Sequence, residues 1–578
     1  MNRREALKRM TAASAVAGLA TVMPRLEAES TDAVTDASSS HPSGPVWLRE
    51  AVFYQIYPQS FADSNGDGIG DLPGILSKLD YIQSLGCNAL WLNPIFVSPF
   101  GDAGYDVADY FRVAPRYGTN DDLKRLAEAL HKRDMRLCLD LVAGHSSIEH
   151  PWFKQSAQAA ANKYSDWYIW IPKDEQVWNS HLPPAFAGQT NRDQKYVANF
   201  FEFQPALNYG YFKPDPTKSW QRSFTDPVCR QVQQNLREIM RFWLDLGVDG
   251  FRVDMASSLV RNDPDGEGIR ALWAENRKWL DTNYPEAVLI SEWSYPSRAI
   301  PAGFNIDFLI HFNQTAYRDL IGPEYAPVAG GRRKTDVFFE SAGKGDITKF
   351  VENYKANYEP TRELGYIALP SANHDFPRPT WGRTEQEVRV LFAMLFTMPG
   401  VPFLYYGDEI GMRYLANSPD KEGANKNNGI RAGTRTPMQW GPGRNADFST
   451  CAADKLYLPV DPDAKQLARR NVATQEREPD SMLHFTRTLL KLRKRYPALA
   501  NTAGYAPLYA EKDKYPFVYL RSDGRQKVIV AVNPSAEPVR VPLKSYRSWK
   551  PLLAEGASCA SGELAMQGVS YGVFLVET

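Results

Sequence analysis

Short apolar runs alternate with longer periodic segments from residue 51 to residue 409 of the chain. The short runs predict strands that are buried on both faces of a sheet, and the periodic segments predict amphipathic helices. The predicted strands cover residues 51–58, 89–95, 136–142, 250–255, 288–293, 308–313, 366–373 and 401–409. The predicted helices cover residues 71–86, 119–134, 226–247, 268–283, 346–358, 384–398 and 481–496. Asp71 lies near the predicted start of the first helix, and Thr119 or Asn120 is predicted to begin the second.

The order of these elements predicts an α/β fold. Eight successive units of strand and helix close into a (β/α)8 TIM barrel. An open, doubly wound sheet is the alternative, although no GxGxxG motif follows the first strand. Irregular stretches at 146–225 and 411–480 interrupt the barrel. From residue 501, short runs of alternating apolar and polar residues, separated by turns, predict an antiparallel β domain. The predicted domains are a leader at 1–45, a barrel at 46–145 and 226–500, an insertion at 146–225 and a β domain at 501–578.

The N-terminal segment, MNRREALKRMTAASAVAGLATVM, places paired arginines before a short, Ala-rich apolar run. This order predicts an export signal of the twin-arginine type, and hence a periplasmic or extracellular protein. A short basic tail is the alternative. The apolar run is too short to predict a membrane span, and residues 27–45, rich in Ser, Thr, Asp and Pro, predict a flexible tether.

Composition narrows the set of partners. Lys plus Arg and Asp plus Glu number 67 each, so the formal net charge is zero. This balance does not indicate nucleic acid or an anionic surface as a partner. Five cysteines without a CxxC pair do not imply a disulfide framework, and Cys87 and Cys138, beside apolar strands, are expected to be buried thiols.

The stretch DSNGDGIGD, residues 63–71, has the spacing of a hard-cation site. Oxygen-bearing side chains alternate with glycines that let a short loop curl around an ion. The predicted ligands are the side chains of Asp63, Asn65, Asp67 and Asp71 and the carbonyl group of Ile69. Because Gly74 stands where an EF-hand has Glu, the loop is not an EF-hand. A solvated Asn/Asp/Gly turn without metal is the alternative.

Three acidic residues stand at the carboxyl ends of predicted strands, where TIM barrels place their active residues. They are Asp254, Glu292 and Asp375. Two carboxyl groups suffice for glycoside hydrolysis, since one attacks or activates water and the other protonates the leaving oxygen. Arg252 shares a strand face with Asp254 and is expected to keep it ionised, whereas Glu292 must hold a proton near neutrality.

The polar residues at these strand ends allow two other interpretations. The carboxylates could form salt bridges at the barrel top without any chemistry. A metal-dependent hydrolase could use His145 and His374 as ligands, but that class usually has an HxH near the first strand, and VFYQIYP lacks it.

A set of motifs in fixed order resembles glycoside hydrolase family 13, the α-amylase family, and within it the oligo-1,6-glucosidase and α-glucosidase branch. The motifs are DSNGDGIGDLPGI, GYDVADY, DLVAGHSS, GVDGFRVDM, ISEW, ANHD, FLYYGDEIGM and RTPMQW. The resemblance implies a retaining mechanism with Asp254 as nucleophile and Glu292 as general acid/base. It also implies that Asp375 holds and distorts the sugar ring.

The resemblance implies further roles. The residues that match a glucose-binding subsite −1 are Tyr105, Asp106, His145, Arg252, His374 and Arg378. Tyr105 would stack on the sugar and the others would hydrogen-bond to it. The loop at 63–71 would hold a structural Ca²⁺, or Mg²⁺ in some members, away from the scissile bond. The insertion at 146–225 corresponds to domain B, which walls the cleft.

Three positions depart from the family pattern. Gly144 replaces an Asn that helps to hold a second calcium in many amylases, so no such site is expected. QPALN at 204–208 replaces QPDLN, and Met255 after the nucleophile matches neither the α-1,4 nor the α-1,6 pattern. Hydrolysis of α-glucosidic oligosaccharides is the leading hypothesis. A trehalose synthase or sucrose isomerase would use the same triad, and a non-catalytic relative, such as a transporter heavy chain, is the remote alternative.

Overall fold

A computed structural model describes residues 40, 42–175, 185–186, 191–309, 315–322, 336–425, 431–546 and 548–577. The export signal predicted at the N-terminus lies outside the described residues and stays a prediction. Among the helices that are described, none is long and apolar enough to cross a membrane.

The strands and helices alternate through the first two thirds of the chain. The strands are β1 (Phe53–Ile56), β2 (Ala89–Leu92), β3 (Phe96–Val97), β4 (Asp109–Val113), β5 (Arg136–Leu141), β6 (Trp170–Pro172), β7 (Ala185–Phe186), β8 (Gln194–Val197), β9 (Gly250–Val253), β10 (Val288–Ser291), β11 (Ile306–Phe308), β12 (Tyr366–Pro370), β13 (Val401–Tyr405), β14 (Gly504–Tyr509), β15 (Phe517–Ser522), β16 (Lys527–Asn533), β17 (Val539–Pro542), β18 (Trp549–Ala560) and β19 (Glu563–Val576). The helices are α1 (Leu72–Leu76), α2 (Leu79–Leu85), α3 (Asn120–His131), α4 (Pro151–Ser156), α5 (Pro227–Asp245), α6 (Glu267–Asn283), α7 (Pro296–Ala299), α8 (Thr315–Ile321), α9 (Thr348–Tyr358), α10 (Glu385–Leu395), α11 (Ala464–Arg469), α12 (Val472–Gln475) and α13 (Met482–Arg495).

Eight parallel strands close into a barrel, in the order β1-β13-β12-β11-β10-β9-β5-β2. Nearly all of their residues are buried, because side chains alternate between the barrel interior and the surrounding helices. The predicted (β/α)8 barrel is therefore confirmed. The predicted doubly wound alternative is wrong, since β1 and β13 pair in parallel and leave no open edge between them.

Two predicted elements differ from the observed ones. The strand expected at 308–313 lies at Ile306–Phe308, and residues 310–313 of that prediction fall outside the described residues. The surrounding sequence, FNIDFLIHFN at 304–313, has apolar residues on both sides of the observed strand, so periodicity does not fix the strand ends. The pairing of Ile306 with Ile290 and Tyr366 does. The helix expected at 71–86 is interrupted between α1 and α2.

The insertion after β5 carries a three-stranded sheet in the order β6-β8-β7. It returns to the barrel mouth through a bridge between His145 and Ala206. Ala206, the Ala of QPALN, is buried beside Ile169 and Val197. Its methyl group therefore belongs to the small apolar core of this insertion.

The C-terminal region forms an antiparallel sheet from β14 to β19, as the alternating pattern predicted. Its strands contribute buried side chains to one hydrophobic cluster that includes Val518, Ile529 and Leu564. Cys87 and Cys138 are buried thiols, which confirms the expectation for both.

Candidate active site

The carboxyl ends of the barrel strands bring the predicted acidic residues to one mouth. Asp254 and Glu292 directly follow β9 and β10, which are neighbours in the barrel. Asp375 lies on the loop after β12. Strand β5, on the other side of β9, adds Asp140. Parallel strands end together, so residues distant in the sequence meet here.

One guanidinium group holds three of these carboxylates. Arg252 Nη1 lies 2.8 Å from Asp140 Oδ1 and 3.0 Å from Asp254 Oδ1. Its Nη2 lies 2.8 Å from Glu292 Oε1. The guanidinium carbon lies 5.2 Å from the centre of the Trp91 ring. The planar fork of arginine suits this arrangement, because it offers several fixed donors at once.

Asp254 and Glu292 are close enough to influence each other's ionisation. Burial and the Glu292 carboxylate raise the pKa of Asp254 well above its ordinary value, and Arg252 opposes that rise in part. Arg252 therefore favours the ionised form of Asp254, as expected, but burial and Glu292 favour the protonated form. Both carboxyl groups contact the Arg252 guanidinium, so the Glu292 carboxylate lies close enough to disfavour the ionised form of Asp254. A pair with one ionised and one protonated member can supply both a nucleophile and an acid.

The residue after Asp254 fixes the other oxygen of Glu292. The Met255 amide donates to Glu292 Oε2 at 3.0 Å. Met255 has a φ of 45°, an unusual value for a residue other than glycine. This left-handed turn directs the amide toward Glu292 and places strain beside the acidic pair.

Two arginines from the region after β13 contact Asp375. Arg435 Nη2 lies 3.1 Å and Arg431 Nη1 lies 3.4 Å from its Oδ1. Burial alone would raise the pKa of Asp375, but the adjacent His374 ring and the charges of Arg431 and Arg435 hold it well below its ordinary value. Asp375 is therefore an anion at every physiological pH.

His374 and Tyr105 form the floor beside Asp375. The Gln55 amide nitrogen donates to His374 Nδ1 at 3.1 Å, so the ring proton belongs on Nε2, 3.1 Å from Asp375 Oδ2. Burial lowers the pKa of His374 well below its ordinary value, which keeps the ring neutral. The Tyr105 ring is parallel to it at 5.5 Å, and the Tyr105 hydroxyl donates to Asp140 at 2.9 Å.

His145 lies at the edge of this cluster, and both of its ring nitrogens have protein partners. Nε2 is 3.0 Å from the carbonyl oxygen of Tyr105, and Nδ1 accepts from the side-chain amide of Asn199 at 3.2 Å. Burial lowers the pKa of His145 to about 4. The same Asn199 explains Gly144, because a Cβ atom there would lie 2.6 Å from Asn199 Nδ2.

The structure does not bring Asp106 to the carboxylate cluster. Its buried side chain accepts hydrogen bonds from the Ser98 hydroxyl and from the amides of Gly101 and Asp102. Burial raises the pKa of Asp106 to about 6 against these donors. Asp106 shapes the loop, whereas Asp102 points to the site, with its Oδ1 3.3 Å from Arg431 Nη2.

Arg378 is also outside the cluster. Its Nη1 donates to the carbonyl oxygen of Tyr406 at 2.7 Å and to Asp408 Oδ1 at 2.8 Å, and its Nη2 donates to the carbonyl oxygen of Thr434. It thereby ties the residues after β13 to the residue that precedes Arg435. Through the Thr434 carbonyl, Arg378 fixes the backbone that carries Arg435.

Five residues of the site were not predicted. They are Asp102, Asp140, Asn199, Arg431 and Arg435. Asp140 and Arg435 lie inside the motifs DLVAGHSS and RTPMQW and could have been found from them. The other three come from loops, and no periodicity or motif marks them.

The loop at 63–71 folds its oxygen-bearing side chains inward. Asp63 accepts hydrogen bonds from the amides of Asn65, Gly66 and Gly68, and Asp67 accepts from the amide of Ile69. Asp71 caps α1 through the amide of Gly74. Across the described part of the chain, no group of three or more His, Cys, Asp or Glu side chains is arranged to hold a metal.

The chemistry of this donor set still suits a hard cation. Asn65 and Asp67 are exposed, and carboxylate oxygens that accept amide protons keep lone pairs for an ion. If an ion binds, the five predicted ligands would hold it, and it would tie the loop to itself rather than reach the carboxylates at the mouth.

Fold and mouth together define the class of (β/α)8 carbohydrate-active enzymes. A family model described as the α-amylase catalytic domain matches residues 55–502. The chain therefore belongs to the α-amylase family.

Several curated relatives match along most of their length. A trehalose synthase/amylase of Mycobacterium tuberculosis is 30% identical over 556 residues, which is 90% of this chain and 88% of the relative. An oligo-1,6-glucosidase of Parageobacillus thermoglucosidasius is 31% identical over 84% of this chain and 90% of its own. The relatives thus include both a trehalose synthase/amylase and a glucosidase.

Solved structures also match along most of this chain. A variant of the isomaltulose synthase of Erwinia rhapontici NX5, in complex with its natural substrate sucrose, superposes with a TM-score of 0.75 at 27% identity. The match covers 92% of this chain and 100% of that one. A trehalulose synthase variant in complex with Tris matches with a TM-score of 0.74 at 27% identity, over 92% of this chain and 100% of that one.

Proposed function

We propose that the protein is a retaining enzyme that cleaves α-1,4 or α-1,6 glucosidic bonds of oligosaccharides through a covalent glycosyl-enzyme. The observation that carries this proposal is the contact of Asp254 and Glu292 with the two ends of one guanidinium group, at 3.0 Å and 2.8 Å. In inverting enzymes the two carboxyl groups stand farther apart, to leave room for a water molecule. A pair this close suits a nucleophile and an acid that act on one bond.

The proposed reaction has two steps. Asp254 attacks the anomeric carbon and forms an ester, while Glu292 gives its proton to the departing oxygen. Glu292, now ionised, then takes a proton from the acceptor hydroxyl as that oxygen displaces Asp254. Arg252 touches both carboxylates, so its charge offsets whichever of them is ionised at each step.

The pocket supports recognition of one glucose ring. Tyr105, Asp254 and Asp375 are only 5%, 7% and 8% exposed. The neutral His374 ring offers a donor, and Asp375 and Asp102 offer acceptors for sugar hydroxyls. Such an enclosed site favours the terminal glucose of a chain, and hence exo-action.

A second candidate differs only in the acceptor. If the departing sugar rotates and re-attacks the ester before water does, the product is an isomeric disaccharide. The trehalose synthases among the relatives favour this candidate, as do the isomaltulose and trehalulose synthases among the solved structures.

Product analysis tests both candidates. We expect maltose or isomaltose to give free glucose that is α-configured when first released, because two displacements retain configuration. Sucrose and trehalose serve as further substrates, with NMR and chromatography as the readout. An isomeric disaccharide as the main product would establish the second candidate. No conversion of any of the four sugars would contradict the proposed function.

We also propose that the loop at 63–71 binds Ca²⁺, or Mg²⁺, as a structural ion. EDTA is expected to lower the melting temperature by about 5 °C, since a ligand bound only by the folded state stabilises it by mass action. Below that temperature the turnover rate should stay the same.

A variant of one exposed ligand controls this experiment. Asp67→Asn keeps the turn but removes a charge, so EDTA should lower its melting temperature less. A melting temperature that EDTA does not change, together with elemental analysis that finds no divalent cation, would show that the loop is metal-free.

A further inference from the structure

A buried carboxylate that the proposed reaction does not use lies beside Glu292. Asp307, in β11, pairs in register with Ser291, the residue before Glu292. Its side chain is fully buried. Its Oδ1 accepts hydrogen bonds from the Ser291 hydroxyl at 2.6 Å and from the Trp293 amide at 3.2 Å. Asp307 therefore holds the chain on both sides of Glu292.

This contact extends the link between the two strands beyond the end of β10 at Ser291. The Glu292 amide still bonds to the Val253 carbonyl of β9 at 3.0 Å. The next amide, of Trp293, donates to the side chain of Asp307 in β11. Glu292 is therefore tied to β9 through its own amide and to β11 through its two neighbours.

The loop then curls back onto the same carboxylate. Ser294 has a φ of 65°, a left-handed turn directly after Trp293. Burial raises the pKa of Asp307 to about 7, while the Ser291 hydroxyl and the amides of Trp293, Tyr295 and Ser294 oppose this rise. Of these donors, the Ser291 hydroxyl and the Trp293 amide lie within hydrogen-bond distance of Asp307 Oδ1.

We propose that Asp307 is a positioning residue for Glu292. It sets the direction in which Glu292 leaves β10 and thereby the distance between the Glu292 proton and the departing oxygen. The inference rests on the proposed function, in which Glu292 is the acid. A misplacement of about 1 Å in such a group costs about hundredfold in rate, so a residue that never touches the sugar can matter this much.

Leaving-group dependence separates positioning from general structural damage. A sugar leaving group needs the proton of Glu292, whereas fluoride leaves with little protonation. For Asp307→Ala we expect kcat/KM to fall about hundredfold on the natural oligosaccharide and less than about tenfold on α-glucosyl fluoride. Asp307→Asn keeps one acceptor oxygen in the same shape and should lie between this variant and the wild type.

Glu409 supplies a matched control. It too is fully buried, its pKa is also raised by burial to about 7, and its carboxylate accepts two hydrogen bonds, from Tyr54 and Tyr81. These contacts lie away from the carboxylates of the mouth. Glu409→Gln should change kcat/KM on the two substrates by the same factor. Glu292→Gln should show the leaving-group dependence in full.

A second measurement does not depend on activity. Hydrogen exchange of the peptide that covers residues 292–296, followed by mass spectrometry, should be faster in both Asp307 variants than in the wild type, and exchange in β10 should be unchanged. Equal losses on the two substrates, or unchanged exchange in this peptide, would overturn the proposal. If the wild type cleaves no α-glucoside, the proposed function fails, and the exchange result still decides whether Asp307 holds the loop.

Discussion

Asp254→Asn is expected to lower kcat/KM by at least about 10⁴-fold while the protein stays folded. The amide cannot form the ester, and loss of a group that acts in a catalytic unit costs about this much. Its oxygen can still accept a hydrogen bond from Arg252, which lies 3.0 Å from Asp254 Oδ1. The measurement is steady-state turnover of an aryl α-glucoside.

The same variant should melt at a higher temperature than the wild type at neutral pH. Burial and Glu292 raise the pKa of Asp254, so its ionised form destabilises the folded state. The folded state holds this proton more tightly than the unfolded state, and the wild type therefore loses stability as the pH rises above about 4, the ordinary pKa of Asp. The gain from Asn should disappear below about pH 4.

Chemical rescue is the control for the role of Asp254. In Asp254→Ala, azide can enter the space of the lost carboxylate and attack from the face opposite the leaving group. An aryl α-glucoside should then give a β-glucosyl azide. Activity near the wild-type level in Asp254→Asn, or azide rescue that gives the α-product, would contradict the assignment as nucleophile.

Arg252→Met is expected to have the second largest effect, because it leaves the buried Asp140 and Asp254 and the half-buried Glu292 without their cation. Removal of one partner of a buried ion pair costs about 3–5 kcal/mol in the free energy of unfolding. Arg252→Lys should lower the free energy of unfolding by less, since an ammonium group keeps the positive charge. It should still be less stable than the wild type, because it lacks the planar fork that reaches Asp140, Asp254 and Glu292 together. Denaturant unfolding measures this order.

The pH profile reports the electrostatic part of this effect. Arg252 lowers the pKa of Asp254 against burial and Glu292, so the acidic limb of kcat/KM should move to higher pH in Arg252→Met. Arg493→Lys is the control, because Arg493 is a buried arginine that bonds to the carbonyl oxygens of Phe396, Met398 and Gly400. It should lose stability without moving the limb. If the acidic limb of the pH profile stays at the same pH in Arg252→Met, the charge of Arg252 does not set the pKa of Asp254.

Much of the barrel follows from local sequence. Apolar runs of strand length predicted each of the eight strands, and the helix start predicted near Asp71 is confirmed by its side-chain cap on the Gly74 amide. Of the two residues predicted to begin the next helix, Thr119 and Asn120, the structure selects Thr119, which caps the Asp122 amide. These features depend on a few adjacent residues, since burial sets the periodicity and unpaired amides set the caps. Asp254 and Glu292 could be located in the same way, as the polar residues that directly follow buried strands.

The tertiary structure decided which loop residues face the mouth. The GYDVADY motif suggested Asp106, but the fold turns that side chain into its own loop and presents Asp102. Arg431 and Arg435 reach Asp375 from the region after β13. Contacts of this kind depend on how the closed barrel orients its loops, and local periodicity does not encode that orientation.

Register and charge balance were likewise decided only by packing. The sequence around β11 did not fix where the strand begins, and pairing with β10 and β12 selects the register that sets Asp307 opposite Ser291. The sequence by itself determined a barrel with acidic residues at its mouth. Only the assembled barrel determined that the pKa of Asp254 is raised, because burial and the nearby Glu292 carboxylate act on it only when the strands have closed.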